Sequence, residues 1–283
     1  MSGSEQTKLH PNSDQSIAGV GYYVYCISDA ARASQIVESG SPVPIEDGAT
    51  LELIERKHLS AVVSRVPLSS YGEEPLAELL TDGAWTAVRA MRHEHVVEFF
   101  SKRTSVVPLR FGTIYLDRSG VEQMLNEKSG QLTEIIHRLE GREEWGVNVY
   151  CDRTLLLENI TSVSPRLRQM TEEAKQASPG QSYLMQKKIE VLRADEAKAE
   201  IARAADEIEN QLRSVSDDSV RLRILKVEST ENGELKAKFA FLVSKSNFEN
   251  FRNAAEGLAR NLGTSGIKIE LTGPWPAYNF ATA

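Results

Sequence analysis

The feature that most constrains the fold is a long helical segment, predicted from about residue 179 to residue 215. Ser178 as N-cap, Pro179 at the first helical position and Gln181 three residues after the cap form a helix start signal. Farther along, apolar residues alternate between spacings of four and three, as in a coiled-coil seam: Ile201, Ala205, Ile208, Leu212 and Val215. Because a helix gains most of its stability by burying such a seam, the segment must cover one side of a core.

Strands flank this helix in a recognisable order. Counted from residue 145, the elements read β, α, β, β, α, β, which is the split βαβ arrangement of a ferredoxin-like fold. A capping box at Ser246 and Glu249 opens the second helix, which ends at Gly263. The strand runs are WGVNVYC (145–151), RLRILKVES (221–229), LKAKFAFLVS (235–244) and IKIELTG (267–273).

The N-terminal half has similar ingredients in a less regular order. YYVYCI (22–27) and LSAVVSRV (59–66) read as buried strands, and an amphipathic helix follows at about 82–103. With 283 residues the chain is long enough for two domains. The sequence therefore predicts an α+β protein with a ferredoxin-like C-terminal domain and a modified ferredoxin-like α+β N-terminal domain.

The domain limits follow from breaks in these patterns. Residues 1–18 are polar and aperiodic, so we expect a disordered tail. The N-terminal domain is predicted at 19–160 and the C-terminal domain, with its long helix, at 161–283. Ser164-Pro165 and Ser178-Pro179-Gly180 act as breakers, which makes 158–183 the predicted linker.

Charge and hydropathy narrow the class of protein. The 33 basic and 40 acidic residues give a formal charge of -7, and no basic block could neutralise a run of phosphates, so nucleic acid is not an expected partner. No apolar run reaches the roughly 18 residues that span a bilayer, and the N-terminus lacks a secretory signal pattern. We expect a cytoplasmic protein without membrane contact, in which Cys26 and Cys151 are buried, inert thiols.

The chemical motifs of enzymes are not found in the sequence. His93, Glu94 and His95 form an HEH string, but two imidazoles two positions apart point about 200° away from each other on a helix, so a structural or surface role is favoured over a metal site. Neither a nucleophile elbow nor a phosphate-binding glycine loop is present. The interspersed charges of the long helix are typical of a solvated face. We predict no catalytic, cofactor-binding or metal-binding residues.

Six segments together carry a family resemblance. They are VVSRVPLSSYGEE (62–74), RHEHVVEFF (92–100), VVPLRFGTIY (106–115), EEWGVNVY (143–150), SYLMQKK (182–188) and TGPWPAYNF (272–280). In this order they resemble gas vesicle proteins of the GvpL/GvpF family. The resemblance implies a cytoplasmic, gas-vesicle-associated assembly protein. The resemblance further implies binding to the small amphipathic major shell protein and to other gas vesicle accessory proteins, either transiently or as a minor shell component.

Two motifs supply candidate partner contacts: Arg110, Phe111, Trp275 and Tyr278. PLRFGTIY is either an exposed contact turn or an internal turn with Phe111 in the core, and we favour the second. In GPWPAYNF the prolines hold Trp275 extended, either as a displayed anchor or, as we favour, packed within the protein near the domain junction with Tyr278 and Phe280. The competing hypothesis is a ferredoxin-like regulatory protein that binds a small molecule, since fold alone does not decide function.

Overall fold

A computed structural model describes residues 19–224 and 229–281. The predicted tail at 1–18 and part of the predicted strand at 221–229 lie outside the described residues. The strands are β1 Val20–Asp29, β2 Leu51–Arg56, β3 Leu59–Pro67, β4 Val106–Pro108, β5 Ile114–Tyr115, β6 Arg142–Cys151, β7 Asp218–Leu222, β8 Ser229–Thr230, β9 Gly233–Ser244 and β10 Ile267–Trp275. The helices are α1 Ala30–Glu38, α2 Leu68–Tyr71, α3 Glu73–Leu79, α4 Gly83–Ser101, α5 Arg118–Glu127, α6 Ser129–Leu139, α7 Arg153–Val163, α8 Pro165–Gln176, α9 Pro179–Arg213 and α10 Phe248–Gly263.

Contacts within the chain divide it into two compact units, residues 1–137 and 138–283. The boundary predicted from the sequence, after residue 160, leaves β6 in the N-terminal half. In the structure β6 pairs with β9 on one side and with β10 on the other. The division therefore falls before β6 rather than after it, because a central strand cannot be separated from its sheet without breaking both ladders.

The first unit contains an antiparallel sheet in the order β2, β3, β1, β4, with β5 also paired to β1. Residues 23–27 of the central strand β1 have no exposed surface. A strand buried on both faces needs no polar alternation, which explains the continuous run YYVYCI. The buried strands predicted here are confirmed.

The second unit contains an antiparallel sheet in the order β10, β6, β9, β7, with β8 paired to β9. The C-terminal half of α9 and one face of α10 cover this sheet, and their apolar side chains share one core cluster with it. The seam prediction for α9 is confirmed, since Ile208 and Leu212 have no exposed surface and Ala205 has 2%.

The predicted linker at 158–183 is wrong, because two helices occupy it. Ser164 accepts a hydrogen bond from the Leu167 backbone N–H and caps α8, with Pro165 at its first position. The same Ser-Pro pair that ends one helix can thus begin the next. Together α7, α8 and the N-terminal half of α9 enclose a separate apolar cluster that includes Leu156, Ile160, Leu167 and Ile189.

Two helix starts differ from the predicted capping boxes. The sequence also predicts a capping box of Ser119 and Glu122. In the structure the Asp117 carboxylate, rather than Ser119, accepts the Gly120 backbone N–H at the start of α5. A 3-10 turn at Lys245–Asn247 precedes α10, and Asn247 makes no side-chain cap. The capping box at Ser178 and Gln181 is confirmed. Cys26 and Cys151 are buried free thiols, and burial raises the pKa of each, which keeps them protonated and unreactive.

Candidate functional site

The HEH string of α4 is divided between the interior and the surface. His93 has no exposed surface, whereas Glu94 and His95 are exposed. The predicted structural or surface placement of the pair is thus divided, with His93 in the interior and His95 at the surface. In the part of the chain that the structure describes, no group of three or more His, Cys, Asp or Glu side chains is arranged to hold a metal ion.

Two hydrogen bonds of His93 fix its protonation state. The Gly112 backbone N–H donates to the Tyr23 hydroxyl oxygen over 3.0 Å, so the Tyr23 proton is left to donate to His93 Nδ1 over 2.9 Å. His93 Nε2 then carries the ring proton and donates to the Leu109 carbonyl oxygen over 3.1 Å. Burial lowers the pKa of His93 to about 4, because a charged ring would lose its hydration. The imidazole is neutral at pH 7.

These bonds hold the turn Leu109–Thr113 of the PLRFGT motif. The Leu109 N–H also donates to the Tyr25 carbonyl oxygen, and the Val24 N–H donates to the Thr113 carbonyl oxygen, each over 2.9 Å. Gly112 has φ 82°, a conformation that favours glycine. The turn is thus a rigid feature whose shape is set by β1 below it.

The two candidate contact residues of this turn face different surroundings. Phe111 is half-buried, with its ring 6.3 Å from the Tyr23 ring and 5.9 Å from the His93 ring, both edge-on. Arg110 is exposed. The structure therefore combines the two interpretations of the motif, since Phe111 packs inward while Arg110 is presented to solvent.

A second polar group in the first unit fixes the loop between α1 and β2. The Tyr71 hydroxyl donates to Glu46 Oε1 over 2.5 Å, and Arg89 Nη2 lies 2.8 Å from the same oxygen. The Ile45 backbone N–H donates to the Tyr25 hydroxyl oxygen over 2.7 Å. Burial and the neighbouring Glu46 raise the pKa of Tyr71, so its hydroxyl remains a donor.

In the second unit, the EEWG and TGPWPAYNF motifs lie side by side on neighbouring strands. β10 pairs with β6 as far as Thr272, and after a register shift Trp275 pairs with Glu144. The Gly146 backbone lies so close to the neighbouring strand β10 that an added β-carbon would be 2.6 Å from Thr272 Oγ1. Only glycine allows this approach, which explains the glycine of the motif.

The C-terminal segment is held by a buried carboxylate. Glu144, 4% exposed, accepts the Asn279 backbone N–H over 3.0 Å and its side-chain Nδ2–H over 2.5 Å. Burial raises the pKa of Glu144, although the two hydrogen bonds from Asn279 oppose that rise. Arg138 Nη2 donates to the Phe280 carbonyl oxygen over 3.1 Å, and the Phe280 ring is 1% exposed. The predicted inward packing is confirmed for Phe280.

The inward packing predicted for Trp275 is wrong. Its side chain is 55% exposed, and its Nε1–H donates to Thr272 Oγ1 over 3.1 Å. Pro276 is buried and Tyr278 half-buried, so the segment turns inward only after Trp275. Since two flanking prolines restrict the backbone, the indole is displayed in a fixed position.

The four candidate contacts therefore form two motifs. The structure places Arg110 with Phe111 in the first unit and Trp275 near Tyr278 in the second. Sequence reasoning missed the residues that hold these motifs, which are Tyr23, Glu144 and Asn279. It also missed the pair Glu46 and Arg89, which fixes the loop between α1 and β2. One signal was available, because tyrosines inside a buried strand need hydrogen-bond partners for their hydroxyls.

The described cavities offer little to a small ligand. One of about 410 Å³ is lined by residues 41–44 and 48–51, none of them titratable. Another of about 310 Å³ lies among α7, α8 and α9, and its Lys175 is exposed and paired with Glu172. A small-molecule site normally gathers several convergent polar groups in a largely apolar pocket. Neither cavity favours the regulatory-protein hypothesis.

None of the helices in the described ranges, residues 19–224 and 229–281, is long and apolar enough to cross a membrane.

Comparison with known proteins shows similarity along nearly the whole chain. The sequence profile of the family described as "Gas vesicle synthesis protein GvpL/GvpF" matches residues 21–282. Gas vesicle protein L of Streptomyces sp. (strain CB03234) is 29% identical over 241 residues, which cover 83% of this chain and 84% of the relative.

Solved structures show the same fold at low sequence identity. The crystal structure of the gas vesicle protein GvpF from Anabaena sp. PCC7120 matches with a TM-score of 0.62 and 18% identity, covering 94% of this chain and 97% of that one. GvpF from Microcystis aeruginosa matches with a TM-score of 0.58 and 19% identity, over 93% and 99% of the two chains. At these identities the likeness shows an α+β fold and nothing further about the site.

Proposed function

Because the chain belongs to the gas vesicle synthesis protein GvpL/GvpF family, we propose that it binds the small amphipathic major shell protein during gas vesicle assembly, with Trp275 as an anchor. Membership in the family supports a role in gas vesicle formation. The binding step is supported by the exposed indole described above.

The displayed Trp275 is the single observation that carries this proposal. A large aromatic side chain left 55% exposed gains little for folding. Trp275 is nonetheless held by its hydrogen bond to Thr272, by Pro274 and Pro276, and by the Glu144–Asn279 contact beyond it. Aromatic side chains fixed in advance lose little entropy on binding, which is why tryptophan is enriched among interface hot spots.

The shell subunit supplies a physical reason for such a partner. A subunit that lines a gas space must present a large apolar face before it is assembled, and an exposed apolar face promotes aggregation. A rigid indole beside a sheet edge can cover or orient part of that face. The same contact accounts for either a transient chaperone or a minor component that remains with the vesicle.

The architecture we propose is two α+β domains, each ferredoxin-like. Support comes from the strand orders β2-β3-β1-β4 and β10-β6-β9-β7, since each places the first strand between the third and the fourth. On this proposal the protein acts in the cytoplasm and at the gas vesicle. It has no catalytic role and no cofactor, and other gas vesicle accessory proteins are additional partners.

A direct binding assay tests the proposal. The shell subunit, fused to a soluble carrier, is titrated against the full chain and against Trp275→Ala, with affinity measured by biolayer interferometry. Loss of a hot-spot tryptophan costs about 2 kcal/mol or more, so we expect affinity to fall at least tenfold. Tyr183→Ala is the matched control, because Tyr183 is an aromatic residue of similar exposure, 60%, on α9 of the same unit.

Two outcomes would contradict the proposal. In one, the parent chain does not associate with the shell subunit in either purification direction, although deletion of its gene abolishes vesicles. In the other, Trp275→Ala and Tyr183→Ala bind as tightly as the parent. The first outcome would exclude direct binding between this protein and the shell subunit. The second would exclude Trp275 from the binding surface.

A further inference from the structure

The two units repeat the same order of elements. Each runs from a strand through helical chain to two paired antiparallel strands, then through helical chain to an edge strand. In each sheet the first strand, β1 or β6, is central and pairs with that edge strand, β4 or β10. In the first unit β5 follows β4 and also pairs with β1. The equivalence pairs β1 with β6, β3 with β9, α4 with α10, and β4 with β10.

Local details support this equivalence. The central strands carry the same tripeptide, Val24–Cys26 in β1 and Val149–Cys151 in β6. In both cases the register with the hairpin strand shifts at this tripeptide. An aspartate at the end of each strand caps the next helix. Asp29, the last residue of β1, accepts the Arg32 N–H, and Asp152, directly after β6, accepts the Leu155 N–H. The cap comes three positions after the tripeptide in the first unit and one position after it in the second, so the equivalence rests on the strand order and the helix cap and not on an exact sequence register.

The two candidate contact motifs occupy equivalent places in this repeat. PLRFGT follows the edge strand β4, and GPWP interrupts and ends the edge strand β10. Each contains a glycine in the left-handed region, Gly112 with φ 82° and Gly273 with φ 123°. In each unit the edge strand therefore leaves the regular hydrogen-bond ladder at such a glycine. Phe111 adjoins Gly112, and Trp275 is two positions after Gly273.

Each motif is also braced by a buried acceptor on the central strand. In the first unit the Tyr23 hydroxyl oxygen, on β1, accepts the Gly112 backbone N–H over 3.0 Å. In the second, Glu144 Oε2, on β6, accepts the Asn279 backbone N–H over 3.0 Å. Both acceptors are buried, so both bonds are shielded from competing water. The two loops are thus fixed in advance by the same device.

The exposed groups of the two loops suit the same kind of ligand. Arg110 is exposed and precedes the half-buried Phe111 in the chain, and Trp275 is exposed three positions before the half-buried Tyr278. Guanidinium and indole both offer a weakly hydrated flat face to aliphatic side chains. The indole N–H of Trp275 is already bound to Thr272 Oγ1, so the flat face is the feature that the two loops share. An aliphatic segment fits both loops.

We propose that the Arg110 loop is a second contact site equivalent to the Trp275 loop, and that one chain binds two copies of the shell subunit through aliphatic segments. The inference rests on the proposed function, since it takes the same partner. It adds a site in the first unit and a stoichiometry of two shell subunits for each chain.

Native mass spectrometry of the full chain with the carrier-fused shell subunit tests this inference. With the subunit in excess, the parent should form a complex of two subunits with one chain. Arg110→Glu and Trp275→Ala should each reduce the complex to one subunit, and the double variant should form none. Arg32→Glu, an equal charge change at an exposed residue of α1, and Tyr183→Ala are the controls and should keep both subunits.

The outcomes separate this inference from the function on which it rests. A parent complex limited to one subunit, lost with Trp275→Ala but not with Arg110→Glu, sustains the proposed function and overturns the second site. Loss of both subunits on either single change also overturns it, because independent equivalent sites would not fail together. Absence of any complex with the parent refutes the proposed function and the inference with it. Circular dichroism confirms that each exposed-residue variant remains folded.

Discussion

Acidification should destabilise the first unit through His93, and the magnitude follows from its burial. The ring has a pKa near 6.5 in the unfolded chain and about 4 in the folded one, so the unfolded state takes up the proton first as the pH falls. The contribution of neutral His93 to the free energy of unfolding is fully present above pH 6.5 and is lost as the pH falls from 6.5 to 4. At about 1.4 kcal/mol for each pH unit, the loss amounts to about 3 kcal/mol.

The variant His93→Gln isolates this contribution, because glutamine does not titrate in the range. At pH 7 the parent should be more stable by about 1–3 kcal/mol, the cost of disturbing the buried bonds to Tyr23 and Leu109. At pH 4 that advantage should shrink by about 3 kcal/mol, so the variant becomes as stable as the parent or more stable. Carboxylates titrate in both proteins and cancel in the comparison.

The assay must report on the first unit alone. Pulsed hydrogen exchange at increasing urea concentrations, read by mass spectrometry on peptides from β1, follows the unfolding of the sheet next to His93. His95→Gln, a replacement at an exposed histidine two positions away, corrects for the general effect of removing a histidine. If the difference in unfolding free energy between parent and His93→Gln is the same at pH 4 and pH 7 within about 1 kcal/mol, the argument is refuted, since His93 would then titrate alike in both states.

Three further changes test the second unit, each by urea unfolding. Ile208→Asp places a charge where the side chain has no exposed surface and should lower the free energy of unfolding by about 3 kcal/mol or more. The control Val191→Asp, at a residue 78% exposed on the same helix, should keep that free energy within about 0.5 kcal/mol of the parent. Similar losses at both positions would contradict the burial of the seam. Gly257→Ala should stabilise the unit by about 0.5–1 kcal/mol, because the glycine lies inside α10 and an added β-carbon would meet no atom within 4 Å; a loss of stability would show that the helix is crowded there. Ser164→Ala should lower the free energy of unfolding by about 1–2 kcal/mol, because it removes both the cap of α8 and the hydrogen bond to Glu196 Oε2. An unchanged urea midpoint would mean that the cap contributes nothing to stability.

Local patterns in the sequence were sufficient for several elements. The buried strand β1 follows from an unbroken run of aromatic and β-branched residues, and the face of α9 that packs on the sheet follows from the spacing of Ile208 and Leu212. The start of α9 follows from Ser178 and Gln181. These features are determined by residues within a few positions of one another, so a single stretch of sequence contains the whole cause.

Ambiguous local signals needed the tertiary structure to settle them. Ser164-Pro165 both interrupts the chain and starts α8, and only the apolar cluster beneath α7 and α8 decides that the segment is helical rather than a linker. Trp275 and Phe280 are both large aromatic residues, yet Trp275 is exposed and Phe280 is buried, because the exposure of a side chain depends on which other parts of the fold pack against it. No local pattern contains that information.

The sequence by itself determined the family, the α+β composition and the segments that carry the candidate contacts. Only the tertiary structure decided how those segments are held: Tyr23 meets His93 from 70 positions away, and Glu144 meets Asn279 from 135. A bond between distant residues exists only after the sheet has brought its strands together, so its cause lies in the fold and not in either segment.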